Sequence, residues 1–205
     1  MCPPSHPTTP TPIPWRSLDP VAAHHIMSAV DVPWWIAGGW AIDLFVGAQT
    51  RAHKDLDVGI LRADAPRTVA ALPGWEFFEA KDGVLSTLTR GTPPRAGVNS
   101  LWGRRAGEPR WELELLLDDS DGSDWSFRRD SSIRRPFAAA LRCARDGIRY
   151  LAPEIQLMYK ARDLRPEDQA DFEQAGPRLD RVAAEWLRNC LSRLYPQHPW
   201  IPALG

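Results

Sequence analysis

Lysine is almost missing from this chain: only three of its 25 basic residues, Lys54, Lys81 and Lys160, are not arginine. Cysteine is equally scarce. Cys2, Cys143 and Cys190 are an odd number with no CxxC spacing, which argues against a disulfide framework or a zinc cage and for reduced thiols in a cytosolic protein. Neither charge sign is in excess. A formal net charge of -1 over 205 residues gives no electrostatic reason to expect nucleic acid as a partner. No apolar run approaches membrane-spanning length, and MCPPSHPTTPTPIP lacks the charged and apolar regions of a secretory signal. The expectation is a cytoplasmic protein with no membrane partner. What is abundant is core-forming material: 43% hydrophobic residues, with ten tryptophans that need a core or a pocket to occupy.

Three segments are expected: a flexible Pro/Thr-rich tail over 1–14, a core over 15–136, and a mainly helical stretch over 137–205. Asp19 followed by Pro20 marks a helix start. WWIA (34–37) reads as a short buried strand, Gly38-Gly39 as a turn, and WAIDLFV (40–46) as a helix stopped by Gly47. DLDVGIL (55–61) is the next strand, and Asp64 is expected to cap a short helix. WEFFEA and VLSTLTR form a hairpin about Lys81-Asp82-Gly83, VNSLWGR (98–104) is a further strand, and RWELELLL (110–117) is a clear one. After Pro136 the pattern is helical, through APEIQLMYKARD, EDQADFEQAG and RLDRVAAEWLRNCLSRLY. The fold class implied is α+β, a mixed β-sheet flanked by helices with a helical C-terminal segment.

The chemistry concentrates in GGWAID…TRAHKDLDV. Residues i and i+2 of a strand share a face roughly 6.5–7 Å apart, so Asp55 and Asp57 project together. Two bare carboxylates that close repel unless a cation sits between them, and Mg²⁺, a hard ion that takes carboxylate, water and phosphate oxygens, suits the pair. Gly38 and Gly39, between a strand and a helix, offer backbone N–H groups and a helix N-terminus to phosphate. Arg51, His53 and Lys54 crowd the same approach and could neutralise a triphosphate. Lys160, a lysine where arginine is the rule, suggests a point-charge contact to phosphate. A third carboxylate is required, and RWELELLL supplies Glu112 and Glu114 on one face; spacing does not choose between them. Arg128-Arg129 reads as a structural ion pair ahead of a substrate contact, and His24-His25 as structural.

GGWAID (38–43), a spacer and TRAHKDLDV (50–58) resemble the signature of the aminoglycoside 2″-adenylyltransferase and lincosamide nucleotidyltransferase group, within the polymerase-beta-like nucleotidyltransferases. The likeness continues more loosely through RWELELLL, WSFRRD, GIRYLAPEIQLMYKAR and RPEDQADF. It implies the polymerase-beta-like fold. It also implies that Asp55 and Asp57 hold two Mg²⁺ ions and the nucleotide phosphates, that Gly38 and Gly39 bind the triphosphate, and that Glu114 is the third acidic position, where many relatives carry aspartate. The activity implied is transfer of a nucleoside monophosphate, AMP from ATP or the corresponding monophosphate from another nucleoside triphosphate, to a hydroxyl of a small molecule such as an aminoglycoside-type antibiotic, with release of pyrophosphate. Glu112 and the acidic loop 118–124 could draw in a polycationic sugar. Competing readings are a toxin-like nucleotidyltransferase acting on tRNA or protein, and a non-catalytic nucleotide-binding or antitoxin module. A homodimer whose C-terminal helices complete each other's acceptor site is compatible with the chain.

Overall fold

The computed structural model describes residues 14–205. The tail expected over 1–14 lies outside the described residues except for Pro14, whose carbonyl accepts from the Trp111 N–H at 3.2 Å. In chain order the elements are α1 (Pro20–Met27), β1 (Trp34–Ile36), α2 (Gly38–Val46), β2 (Asp57–Leu61), α3 (Ala65–Ala70), β3 (Trp75–Lys81), β4 (Val84–Thr87), β5 (Ser100–Arg105), β6 (Leu113–Ser120), β7 (Asp124–Ser126), β8 (Arg134–Pro136), α4 (Phe137–Ala140), β9 (Leu141–Cys143), β10 (Arg149–Leu151), α5 (Pro153–Lys160), α6 (Pro166–Ala175) and α7 (Arg181–Leu194).

Local chemistry accounts for most of these boundaries. The Asp19 carboxylate accepts from the Ala22 N–H at 2.7 Å and Pro20 opens α1. Asp180 caps α7 in the same way through the Ala183 N–H at 2.8 Å. Asp82 and Gly83, at φ 50° and 75°, make the tight turn joining β3 to β4. Asp64 precedes α3 but accepts no capping bond, because a 3₁₀ turn over Arg62–Asp64 leads straight into the helix.

The strands form one mixed sheet in the order β4-β3-β5-β6-β2-β1-β10-β9, with β7 and β8 continuing from β6. The pairings β2·β6 and β1·β10 are parallel and the others antiparallel. Strand periodicity sorts the side chains by face. Val58, Ile60, Leu113, Leu115 and Leu117 pack with Met27 and Val69 in one apolar cluster. Trp35, Ile42, Ile155, Leu187 and Trp200 form a second, between the sheet and the later helices. Asp57 and Glu114 alternate with the first set, so they project on the face covered by α2 and α5.

Three readings of the sequence need correction. Gly38 and Gly39 are the first turn of α2 rather than a turn preceding it, since the backbone bonds already run from residue 37. β2 begins at Asp57, leaving Asp55 in the preceding loop. The segment after Pro136 is not purely helical: β9 and β10 pair with each other, and β10 joins β1, so the sheet runs across the 136/137 boundary. Both strands are three residues long, too short to show a period against the flanking helical pattern. No helix among the described residues is long and apolar enough to cross a membrane.

Candidate active site

Asp57 opens β2 and its Cα is the direct partner of Glu114 in the parallel pairing with β6. Asp55 stands two residues earlier, exposed, at the end of the loop from α2. Burial pushes the Asp57 carboxyl well above the usual range, and Glu114 and then Asp55 push it further. Glu114 is raised chiefly by burial, opposed by a hydrogen bond from the Ser100 hydroxyl, with Asp55 adding to the rise. Three carboxylates thus share one small region. Pairing register and ion pairs distinguish the two glutamates. Glu112 is 1% exposed and accepts from Arg16 at 2.8 Å and Arg105 at 3.2 Å. It has no free charge to offer a polycation.

Among the described residues no three His, Cys, Asp or Glu side chains converge tightly enough to enclose one ion. Asp57 and Glu114 nevertheless fit a hard cation that takes its remaining ligands from water and phosphate: they are oxygen donors, mutually repelling, and neither is an ion-pair partner of an arginine or lysine.

The glycines serve the carboxylate and the loop directly. Gly38 sits at φ +65°, and a Cβ there would lie 1.9 Å from Asp57 Oδ2. A Cβ on Gly39 would lie 2.3 Å from Arg51 Nη2 and 2.6 Å from His53 Nδ1. Both positions must be bare for these side chains to close over the start of α2. The Gly38 N–H is not free, since it donates to Gln156 Oε1 at 2.9 Å.

The basic residues divide. Arg51 makes a forked pair with Asp171, at 2.8 and 2.9 Å. Lys160 is buried between Asp168 and Asp171 at 2.9 and 2.8 Å. Arg51, Lys54 and Lys160 line a cavity of about 640 Å³ together with Gly38, Gly39 and Asp57. His53 does not line it. Its Nε2 lies 2.5 Å from Asp43 Oδ2 and its ring packs on Trp40 at 4.3 Å, so the histidine fastens the loop to α2. Asp43, which also accepts from the Thr50 N–H and hydroxyl, is a buried hub. The acidic stretch 118–124 is likewise engaged: Asp118 with the Tyr159 hydroxyl, Asp119 with Arg62, Asp121 with Arg134. Sequence reasoning missed Gln156 and Tyr159, which face the cavity from α5. Their only signal was polar atoms at i and i+3 of the same helix.

Residues 21–86 match the family model described as aminoglycoside-2″-adenylyltransferase. A 2″-aminoglycoside nucleotidyltransferase of Escherichia coli is 38% identical over 71 residues, 32% of this chain and 40% of that protein. One of Klebsiella pneumoniae matches over the same extent. The matched stretch thus spans about two fifths of these curated relatives. The solution structure of the antibiotic-resistance factor ANT(2″)-Ia is similar at a TM-score of 0.57 and 20% identity, covering 86% of this chain and 92% of that one. The lincomycin-bound crystal structure of the lincosamide antibiotic adenylyltransferase LnuA is similar at 0.53 and 17%, covering 76% and 93%. The chain therefore has the α+β fold of these nucleotidyltransferases and resembles the aminoglycoside 2″-adenylyltransferase and lincosamide nucleotidyltransferase group.

Proposed function

We propose that the protein is a cytoplasmic nucleotidyltransferase that moves a nucleoside monophosphate, AMP from ATP, onto a hydroxyl of an aminoglycoside-type small molecule and releases pyrophosphate. The observation that carries this reading is that Asp55 and Asp57 line a cavity walled by Arg51, Lys54 and Lys160, with Glu114 the direct partner of Asp57 on the adjacent parallel strand. A carboxylate cluster against basic walls suits a substrate whose phosphates are drawn in by cations and whose reacting phosphorus is held near acids.

Asp55, Asp57 and Glu114 would hold Mg²⁺, two ions in this reading, which when bound neutralises charge on the reacting phosphate. Lys54, exposed at the cavity, offers a cation with no ion-pair partner among the described residues. Arg51 and Lys160 are fixed by Asp171, so they present charge from set positions and need little reordering on binding. Glu114 is the candidate base. The acceptor oxygen forms a bond to the α-phosphorus, the bond from that phosphorus to the bridging oxygen breaks, the hydroxyl proton passes to Glu114, and pyrophosphate carries the electron pair away. A carboxyl raised by burial takes up that proton more readily than an ordinary glutamate. Recognition of a polycation through Glu112 or 118–124 is not part of the reading, because Glu112, Asp118, Asp119 and Asp121 are already engaged.

The test is pyrophosphate release over a panel of nucleoside triphosphates and hydroxyl acceptors, with and without Mg²⁺, followed by mass spectrometry of the products. A nucleotidylated small molecule is expected. Nucleotide found instead on RNA or protein, or Mg²⁺-dependent ATP binding with no release for any acceptor, would overturn it.

A further inference from the structure

The WSFRRD stretch supplies two guanidinium groups that the proposed reaction has not used. Arg128 and Arg129 follow β7, and their guanidinium carbons lie 5.2 and 5.6 Å from the centre of the Tyr159 ring. Arg129 also lies 5.8 Å from the Phe127 ring and donates to the Tyr159 carbonyl at 3.5 Å. The expected ion pair is absent: among the described residues neither arginine pairs with a carboxylate. The nearest acid in sequence, Asp130, is taken by Arg193 at 2.8 Å and by the Ser132 hydroxyl at 2.6 Å. Arg129 lines the same cavity as Asp57, and Arg162 lines it too, its only ion pair a 3.4 Å contact with the exposed Asp163. Burial, and then Arg128 beside it, hold the Arg129 guanidinium below its ordinary range.

Two guanidiniums over one aromatic ring repel. Asp118 and Glu114 act on Arg128, whereas Arg129, on the cavity side, has no carboxylate partner among the described residues, and an anion in the cavity would relieve it. Tyr159 is itself held, its hydroxyl donating to the buried Asp118 at 3.1 Å, so the ring is a fixed platform for both guanidiniums. A paired set of planar forks matches the oxygens of a phosphate chain better than a single ammonium does. We propose that Arg128 and Arg129, seated on Tyr159, form a subsite for the β- and γ-phosphates of the nucleotide and for the pyrophosphate that leaves. The proposal rests on the reading of the cavity as a nucleotide site and adds to it a place for the leaving group, separate from Arg51 and Lys160, which are held by Asp171 and Asp168.

Calorimetric titration with three probes tests it: ATP with excess Mg²⁺, inorganic pyrophosphate, and AMP. Arg129→Gln and the double variant with Arg128→Gln should each weaken ATP and pyrophosphate by at least about tenfold while AMP stays within about twofold. Arg129→Lys, which keeps the charge and loses the fork, should fall between. Arg129 is exposed, so its single variants keep the fold, which circular dichroism checks. Unchanged ATP and pyrophosphate affinity, AMP weakened in step with ATP, or a rise confined to the acceptor KM would each overturn the subsite. If the wild-type protein binds ATP but the variants match it, only the subsite falls. If the wild-type protein binds no nucleotide, the proposed function falls with it.

Discussion

Asp57 and Glu114 are direct Cα partners across the parallel β2·β6 pairing, so two acids that stand 57 residues apart in sequence face each other over one strand spacing. Both are raised by burial, and each state with both ionised costs the fold stability. Asp57→Asn and Glu114→Gln should each lower turnover by at least about 10²-fold. A folded-state carboxyl pKa above its unfolded value contributes stability that is present at low pH and lost as pH rises through the folded value. Without added metal, the variants should therefore match or exceed the wild-type melting temperature near neutral pH, the difference closing as pH falls. A variant that melts well below wild type at neutral pH would contradict this.

Glu112 gives the matching control. It is buried against Arg16 and Arg105 and does not line the cavity. Glu112→Gln should leave kcat within a few-fold of wild type and cost about 1–3 kcal/mol, the size expected when a buried charge-assisted hydrogen-bond set is weakened. Activity and denaturant midpoint measured on the same preparation separate the two glutamates.

The first turn of α2 tolerates no side chain. Gly38→Ala puts a carbon 1.9 Å from Asp57 Oδ2 at a backbone φ of +65°. It should cost about 1–2 kcal/mol for the backbone alone, more for the clash, and should abolish turnover. Gly47→Ala, at φ +83° with open space around it, should carry the backbone cost and retain activity.

Lys160 joins α5 to two acids of α6. Lys160→Met removes a buried cation from Asp168 and Asp171 and should destabilise by about 3–5 kcal/mol. Burial pushes both aspartates up, but hydrogen bonds from Arg165, Arg51 and Lys160 outweigh it and hold them below the usual carboxylate range. Their contribution is present above the unfolded value and lost as pH falls through the folded one. The wild-type protein should lose stability in acid more steeply than Lys160→Met.

Asp118 behaves oppositely. Burial lifts its carboxyl from 3.8 to about 6. Between those two values stability should fall as pH rises, by on the order of 3 kcal/mol in total. Asp118→Asn keeps an acceptor for the Tyr159 hydroxyl and should flatten that slope in a pH series of thermal melts.

Much of this molecule is written locally. Pro20 after Asp19, the Asp82-Gly83 turn, Gly47 behind α2 and the period-two alternation of β6 depend on neighbours within a few residues, and the sequence alone determines them. The DLD spacing likewise put two acids close together without any tertiary information. What it could not determine are quantities set by register and by distant partners. Glu114 rather than Glu112 meets Asp57 because β6 pairs in parallel with β2 at one particular offset, and a slip of one residue would turn every side chain to the other face. Gly38 offers no free N–H because Gln156, 118 residues away, occupies it. His53 leaves the cavity for Asp43, and the acidic loop is consumed by Arg62, Arg134 and Tyr159, since buried or crowded charges take the nearest complementary group that packing supplies. Residue types announced a place for phosphate and metal; only the fold decided which of those charges were still free to meet them.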